Sequence, residues 1–72
     1  MKDKTNEPVK VNDNIIILYM KDEPEYIGRF GAVSKIETDE FGILIYGSWG
    51  RYPIIPEYDS YMKIWFFLKI LL

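Results

Sequence analysis

The sequence predicts an all-β fold: a small five-stranded barrel with one short 3-10 turn before the last strand. Short runs rich in β-branched and aromatic residues recur at close spacing. Glycines at 28, 31, 42, 47 and 50 cut these runs where the chain must turn sharply. The longest early apolar run, IIILYM at 15–20, is too short for a typical helix. Closing such a sheet removes the exposed edges through which an aromatic, β-rich chain would aggregate.

The totals support one packed domain. Seventy-two residues lie near the size where a single core just offsets chain entropy. There is no cysteine, so neither disulfides nor thiolate metal sites contribute, and apolar packing must supply the stability. A hydrophobic fraction of 49% with 17% aromatics is the reverse of a disordered composition. A net charge of −2 removes the bulk attraction that nucleic-acid binders use. The chain also has no histidine, the commonest general base and metal ligand. The polar opening MKDKTNEPVK is unlike a signal peptide, and no run approaches the roughly 20 apolar residues of a membrane span. A cytoplasmic location is therefore expected.

Residues 1–8 are half charged and are expected to be a flexible segment that buries nothing. The barrel is expected over 9–67. Val9 and Val11 alternate with polar neighbours, Asp13-Asn14 offers a bend, and 15–20 forms the first strong strand. Residues 21–27 read as a loop, because Pro24 and three acids forbid a central strand. Gly28 and Gly31 bracket the entry to a strand over 30–36, at left-handed or tightly crowded positions. An acidic turn at 37–40 leads to a strand over 43–46. Pro53 makes 52–55 an edge or bulged strand. Pro56 starts the expected 3-10 turn, its missing N–H being harmless at a first helical position. The last strand is expected over 61–67, followed by a hydrophobic tail at 68–72. The ending IWFFLKILL holds one charge in nine residues, which leaves self-association through the tail open.

Order and spacing carry a resemblance. Met20-Lys21-Asp22-Glu23-Pro24, Gly28-x-x-Gly31-x-Val33, Ser48-Trp49-Gly50 and Ile55-Pro56-Glu57-x-Asp59 follow one another across about 14–64. The series resembles a small uncharacterised SH3-like-barrel domain family, common in phages and mobile elements of Gram-positive bacteria. The Gly28–Val33 turn is also similar to that of KOW and SH3-like barrels. Arg29-Phe30 replaces the small polar pair usual between the two glycines, and the apolar tail lies outside the pattern. The resemblance implies an SH3-like fold and a phage or mobile-element origin. It implies no activity, cofactor or catalytic residue.

The carboxylates Asp22, Glu23, Glu25, Glu37, Asp39 and Glu40 lack the ligand spacing and central glycine of a calcium loop, so they read as solvated. Nothing positions two acids across a pocket for hydrolysis, and the chain reads as non-enzymatic, with no cofactor. The aromatics carry more information. In an SH3-like barrel Tyr26, Trp49 and Tyr58, with Tyr61 nearby, fall on the loop and turns that border a peptide groove. Glu23, Glu25 and Glu57 beside them would complement a basic partner. The expected function is a protein-interaction module acting on a host enzyme or defence complex. The alternative is a nucleic-acid-binding accessory domain using exposed aromatics as stacking platforms. Against it, nine acids outnumber six bases after residue 10.

Overall fold

Alternation in the first apolar run fixes which side of the sheet becomes the core. In β1 (Asn14–Tyr19) Ile15 and Ile17 are sealed from solvent, while Ile16 is half-buried and Leu18 exposed. Each sealed isoleucine stabilises the fold by about 2 kcal/mol. The computed structural model describes residues 5–40 and 42–64. Within them lie four antiparallel strands: β1, β2 (Phe30–Asp39), β3 (Gly42–Gly47) and β4 (Ser60–Lys63), in the order β3-β2-β1-β4. No helix among the described residues is long and apolar enough to cross a membrane.

β2 changes partner along its length. Phe30, Gly31 and Ala32 pair with Ile16, Ile15 and Asn14, whereas Val33 onward pairs with β3 across an irregularity between Val33 and Lys35. β4 returns to the other edge of β1, with Ile17 opposite Tyr61 and Ile16 opposite Met62. The 52–55 run contributes an isolated bridge, Ile54 to Ile45, made by reciprocal hydrogen bonds of 2.8 and 2.9 Å. Its neighbour Pro53 has no N–H to give a ladder. The described sheet therefore consists of four strands plus that bridge.

Several boundaries differ from expectation for local reasons. β2 runs to Asp39, because Glu37 pairs with Leu44 and Thr38 with Ile43, so strand pairing replaces most of the expected turn. Gly42 follows it with φ +118°, which favours glycine. The 3-10 helix lies at Pro24–Tyr26, inside the first loop, rather than before the last strand. Proline at the first helical position works there as well. At Pro56 the chain makes a single hydrogen-bonded turn instead, with the N–H groups of Tyr58 and Asp59 both reaching Ile55 O at 2.8 Å. The expected extension of the last strand to Phe67, and the tail at 68–72, lie outside the described residues.

The N-terminal segment also differs, since Asn6 and Glu7 hold β4 in place. Asn6 exchanges backbone and side-chain hydrogen bonds with Tyr61 at 2.9 Å, and its Nδ2 donates to Pro56 O and Asp59 O. Its φ of +57° is one asparagine tolerates. Tyr61 OH donates to Glu7 O at 2.6 Å, and burial, then the Glu7 charge, pushes its ionisation above the ordinary 10.0. Residues 10–13 form a turn, Asp13 N to Lys10 O at 3.0 Å, with Asn12 at φ +83° as a type II turn requires.

The core comprises Ile15, Ile17, Met20, Tyr26, Val33, Ile45, Trp49, Ile54 and Tyr61. Trp49 packs closely against two glycines. A Cβ at Gly31 would fall 2.8 Å from both Trp49 Cε3 and Trp49 N; one at Gly47 would overlap the ring and lie 2.5 Å from Ala32 O. Gly31 is thus required by close approach and not by a left-handed φ.

Two outcomes follow. Gly47→Ala should cost about 2–3 kcal/mol in urea unfolding, since neither the indole nor the Ala32 carbonyl can move away cheaply; an unchanged midpoint would refute the packing. Asp13 Oδ2 accepts from Lys10 N at 2.8 Å and pairs with Lys63 at 3.4 Å. The Lys10 backbone bond first, then the Lys63 charge, hold its pKa below the ordinary 3.8. A lowered carboxylate pKa stabilises above the unfolded value and is lost as pH falls through the folded one. Asp13→Ala should therefore cost about 1 kcal/mol at pH 5, and the difference from the parent should shrink in unfolding measurements taken below pH 3.8.

Candidate functional site

Three segments meet at the end of the sheet where β1 finishes: the loop 20–29, the turn 48–53 and the turn 55–59. Asp59 ties the first to the third. It is 5% exposed, and its carboxylate accepts from Lys21 N at 2.9 Å and from Ile55 N at 2.8 Å. Charged acceptors make the stronger hydrogen bonds, and two of them satisfy a buried carboxylate that would otherwise be costly. Outside this clasp, Lys21 Nζ sits 4.8 Å from the centre of the Tyr58 ring.

Tyr26 ties the loop to the middle segment. Its ring faces Gly50, where a Cβ would overlap it, and its hydroxyl accepts from Arg51 N at 3.2 Å. Arg29 stacks over the same ring at 4.2 Å and donates through Nη1 to Trp49 O at 2.7 Å. Trp49 Nε1 donates to Tyr52 O at 3.0 Å, and the Tyr26 and Tyr52 rings lie 6.1 Å apart, tilted by 51°. The loop is thus clamped on both sides by groups that are mostly buried.

These contacts sort the expected site residues. Tyr26 and Trp49, at 7% and 3% exposure, are placed in the core instead of on an open face. Tyr58 is open to solvent, at 51% exposure. Glu23 is half-buried, and Glu25 and Glu57 are exposed. A hydrogen bond donated to the Glu25 carboxylate, then desolvation and the neighbouring charges, raise the Glu23 pKa. Glu25 is lowered, first by its own backbone N–H and then by the Glu23 bond.

Sequence reasoning missed Tyr52 and Tyr19, 43% and 49% exposed, and the anchoring roles of Asp59 and Asn6. Tyr52 is exposed although Ile54, two positions on, is sealed. No local signal marks Asp59, because one of its partners lies 38 positions away. Comparison of the chain with protein-family models, curated proteins and solved structures gave no match.

Asp59→Ala should leave the N–H groups of Lys21 and Ile55 without their acceptor and cost about 3 kcal/mol, a large share of the stability of so small a domain. Asp59→Asn keeps one acceptor oxygen and should cost less. Denaturant midpoints that rank the two variants the other way would refute the clasp.

Proposed function

We propose that this chain is a small, non-enzymatic protein-interaction module built on an SH3-like barrel. Its binding face is carried by Tyr52 and Tyr58 on either side of the 20–29 loop. The connectivity supports the fold reading. One long loop separates β1 from β2, a hairpin leads to the bridge at Ile54, and a single turn returns β4 to β1. Bringing the 52–55 run and β4 into a common closed sheet would make the fifth strand.

The observation that carries the functional reading is that two exposed tyrosines stand on backbone already fixed by buried groups. Tyr52 is held through Trp49 and Tyr26, and Tyr58 through Asp59. Large amphipathic rings on ordered backbone bury contact area at little entropic cost, which is why tyrosine is frequent among interface hot spots. Glu25 and Glu57 at the rim suit a partner with basic residues and act more on association rate than on affinity. Tyr26 and Trp49 support this face from beneath. With the resemblance to phage-borne domains, a host enzyme or defence complex is the fitting partner class and a cytoplasmic setting the fitting location.

Selection of a random peptide library on the folded protein tests this reading. Enriched peptides should lose about 2 kcal/mol of affinity on Tyr58→Ala or Tyr52→Ala, with melting little changed. Peptides that bind both variants as tightly as the parent would refute the face. Salt-dependent binding of single-stranded oligonucleotides, abolished by the same changes, would establish the nucleic-acid alternative in its place.

A further inference from the structure

Beyond Val33, β2 has a partner strand on one side only. The last hydrogen bonds on its other side are Val33 N to Asp13 O at 2.8 Å and Asn12 N to Val33 O at 2.7 Å. From Lys35 to Asp39 it pairs with β3 alone among the described residues. Ile45 of β3 directs both its N–H and its C=O to Ile54. Its pairing with Ile36 is therefore of the non-hydrogen-bonded kind, and the two kinds alternate along an antiparallel ladder. Ile36 and Thr38 thus turn their N–H and C=O groups toward the open edge of β2. There these groups have no backbone partner among the described residues. Such a row is a template for one more strand.

We propose that this edge docks a second copy of the chain, β2 against β2, antiparallel, with the two-fold axis at Ile36. The segment Ser34-Lys35-Ile36-Glu37-Thr38 selects both the occupant and the register, because it complements itself when reversed. About that axis Lys35 falls opposite the second copy's Glu37, Thr38 opposite its Ser34, and Ile36 opposite Ile36. The two Ile36 residues exchange N–H and C=O in a pair of hydrogen bonds across the axis. Lys35 and Glu37 already meet at 3.2 Å within one chain, their side chains 58% and 47% exposed. In the pair, the four charges alternate in sign around the axis, and opposite charges lie directly across the new strand junction. On the other face Ile36, 38% exposed, meets its own copy beside the buried Ile45. That face also lines an apolar groove with Ile43, Val9, Pro56 and Tyr61, so the pairing extends an apolar surface already present. Centring the axis on Glu37 instead would set Glu37 against Glu37. A peptide of one charge sign would satisfy only half of this edge. The contact is small, so the dimer is a weak and reversible one.

Charge exchange in the full chain tests this, read by sedimentation at concentrations up to about 1 mM, the weak end of the affinity scale. The parent should dimerise reversibly, and the Ile36 amide should exchange with solvent more slowly as dimers form. Lys35→Glu alone and Glu37→Lys alone each set like charges across the axis twice, and each should weaken the dimer by at least about tenfold. Both positions are solvent-exposed, and unchanged far-ultraviolet dichroism checks that both variants stay folded. An equal mixture of the two single variants should dimerise again, because each then faces its opposite. The doubly exchanged Lys35→Glu/Glu37→Lys chain should also dimerise, since reversing both charges keeps the segment self-complementary. A parent that stays monomeric throughout would overturn the proposal. A dimer that survives both single variants would place the contact on another surface and overturn it too. So would single variants that are monomeric alone and remain so when mixed, because the register would then be wrong.

Discussion

The end of the molecule that carries its exposed aromatics depends on one buried carboxylate. Asp59 accepts from Lys21 N and Ile55 N, and so binds the end of the β1 segment to the start of the turn that leads into β4. Without that acceptor, both N–H groups would face an interior with nothing to receive them, which is the costly side of hydrogen-bond asymmetry. Asn6 reinforces the same corner from the opposite side through Pro56 O and Asp59 O. A domain with a small core cannot rely on area alone. Here a few polar groups set the loop geometry while the apolar cluster supplies most of the driving force.

Trp49 plays the matching part in the core. Its indole fills the space left by Gly31 and Gly47, and its Nε1 and carbonyl reach Tyr52 and Arg29. The two glycines admit a ring much larger than the side chains they lack. Because this ring and Tyr26 are buried, they cannot themselves be an open binding face; they order the backbone on which Tyr52 and Tyr58 stand. Rigidity beneath and exposure above are what an adaptable contact surface requires. Two of the cations near it are engaged, Arg29 with Tyr26 and Lys21 with Tyr58.

The two halves of the sheet do different work. Ile15, opposite Gly31 of β2, is sealed; along the pairing of β2 with β3, Val33 and Ile45 are sealed as well, but Ile36 and Ile43 stay partly open. The same alternation that fills the core thus creates an apolar wall beyond it. The two surfaces are distinct, one aromatic and edged by acids, the other aliphatic and concave.

By itself, the sequence determined the all-β class, the strong strand run at 15–20 and the weakness of the 52–55 run. These follow from β-branched composition, from run length and from proline's missing N–H, all of which are local. Only the tertiary structure decided which proline opens a 3-10 helix. Pro24 and Pro56 carry the same local signal, but at Pro24 the next N–H groups find Glu23 O and Pro24 O while Tyr26 sinks into the core. At Pro56 the chain instead closes a single turn in which Ile55 and Asp59 bond each other in both directions. It also decided which aromatics are core and which are surface. Tyr26, Tyr52 and Tyr58 look alike in sequence, and their burial is set by partners 20 to 40 positions away, such as Arg51 for Tyr26 and Lys21 for Tyr58. Alternation assigns a side chain to a face of its own strand, but it cannot say what the rest of the chain lays over that face.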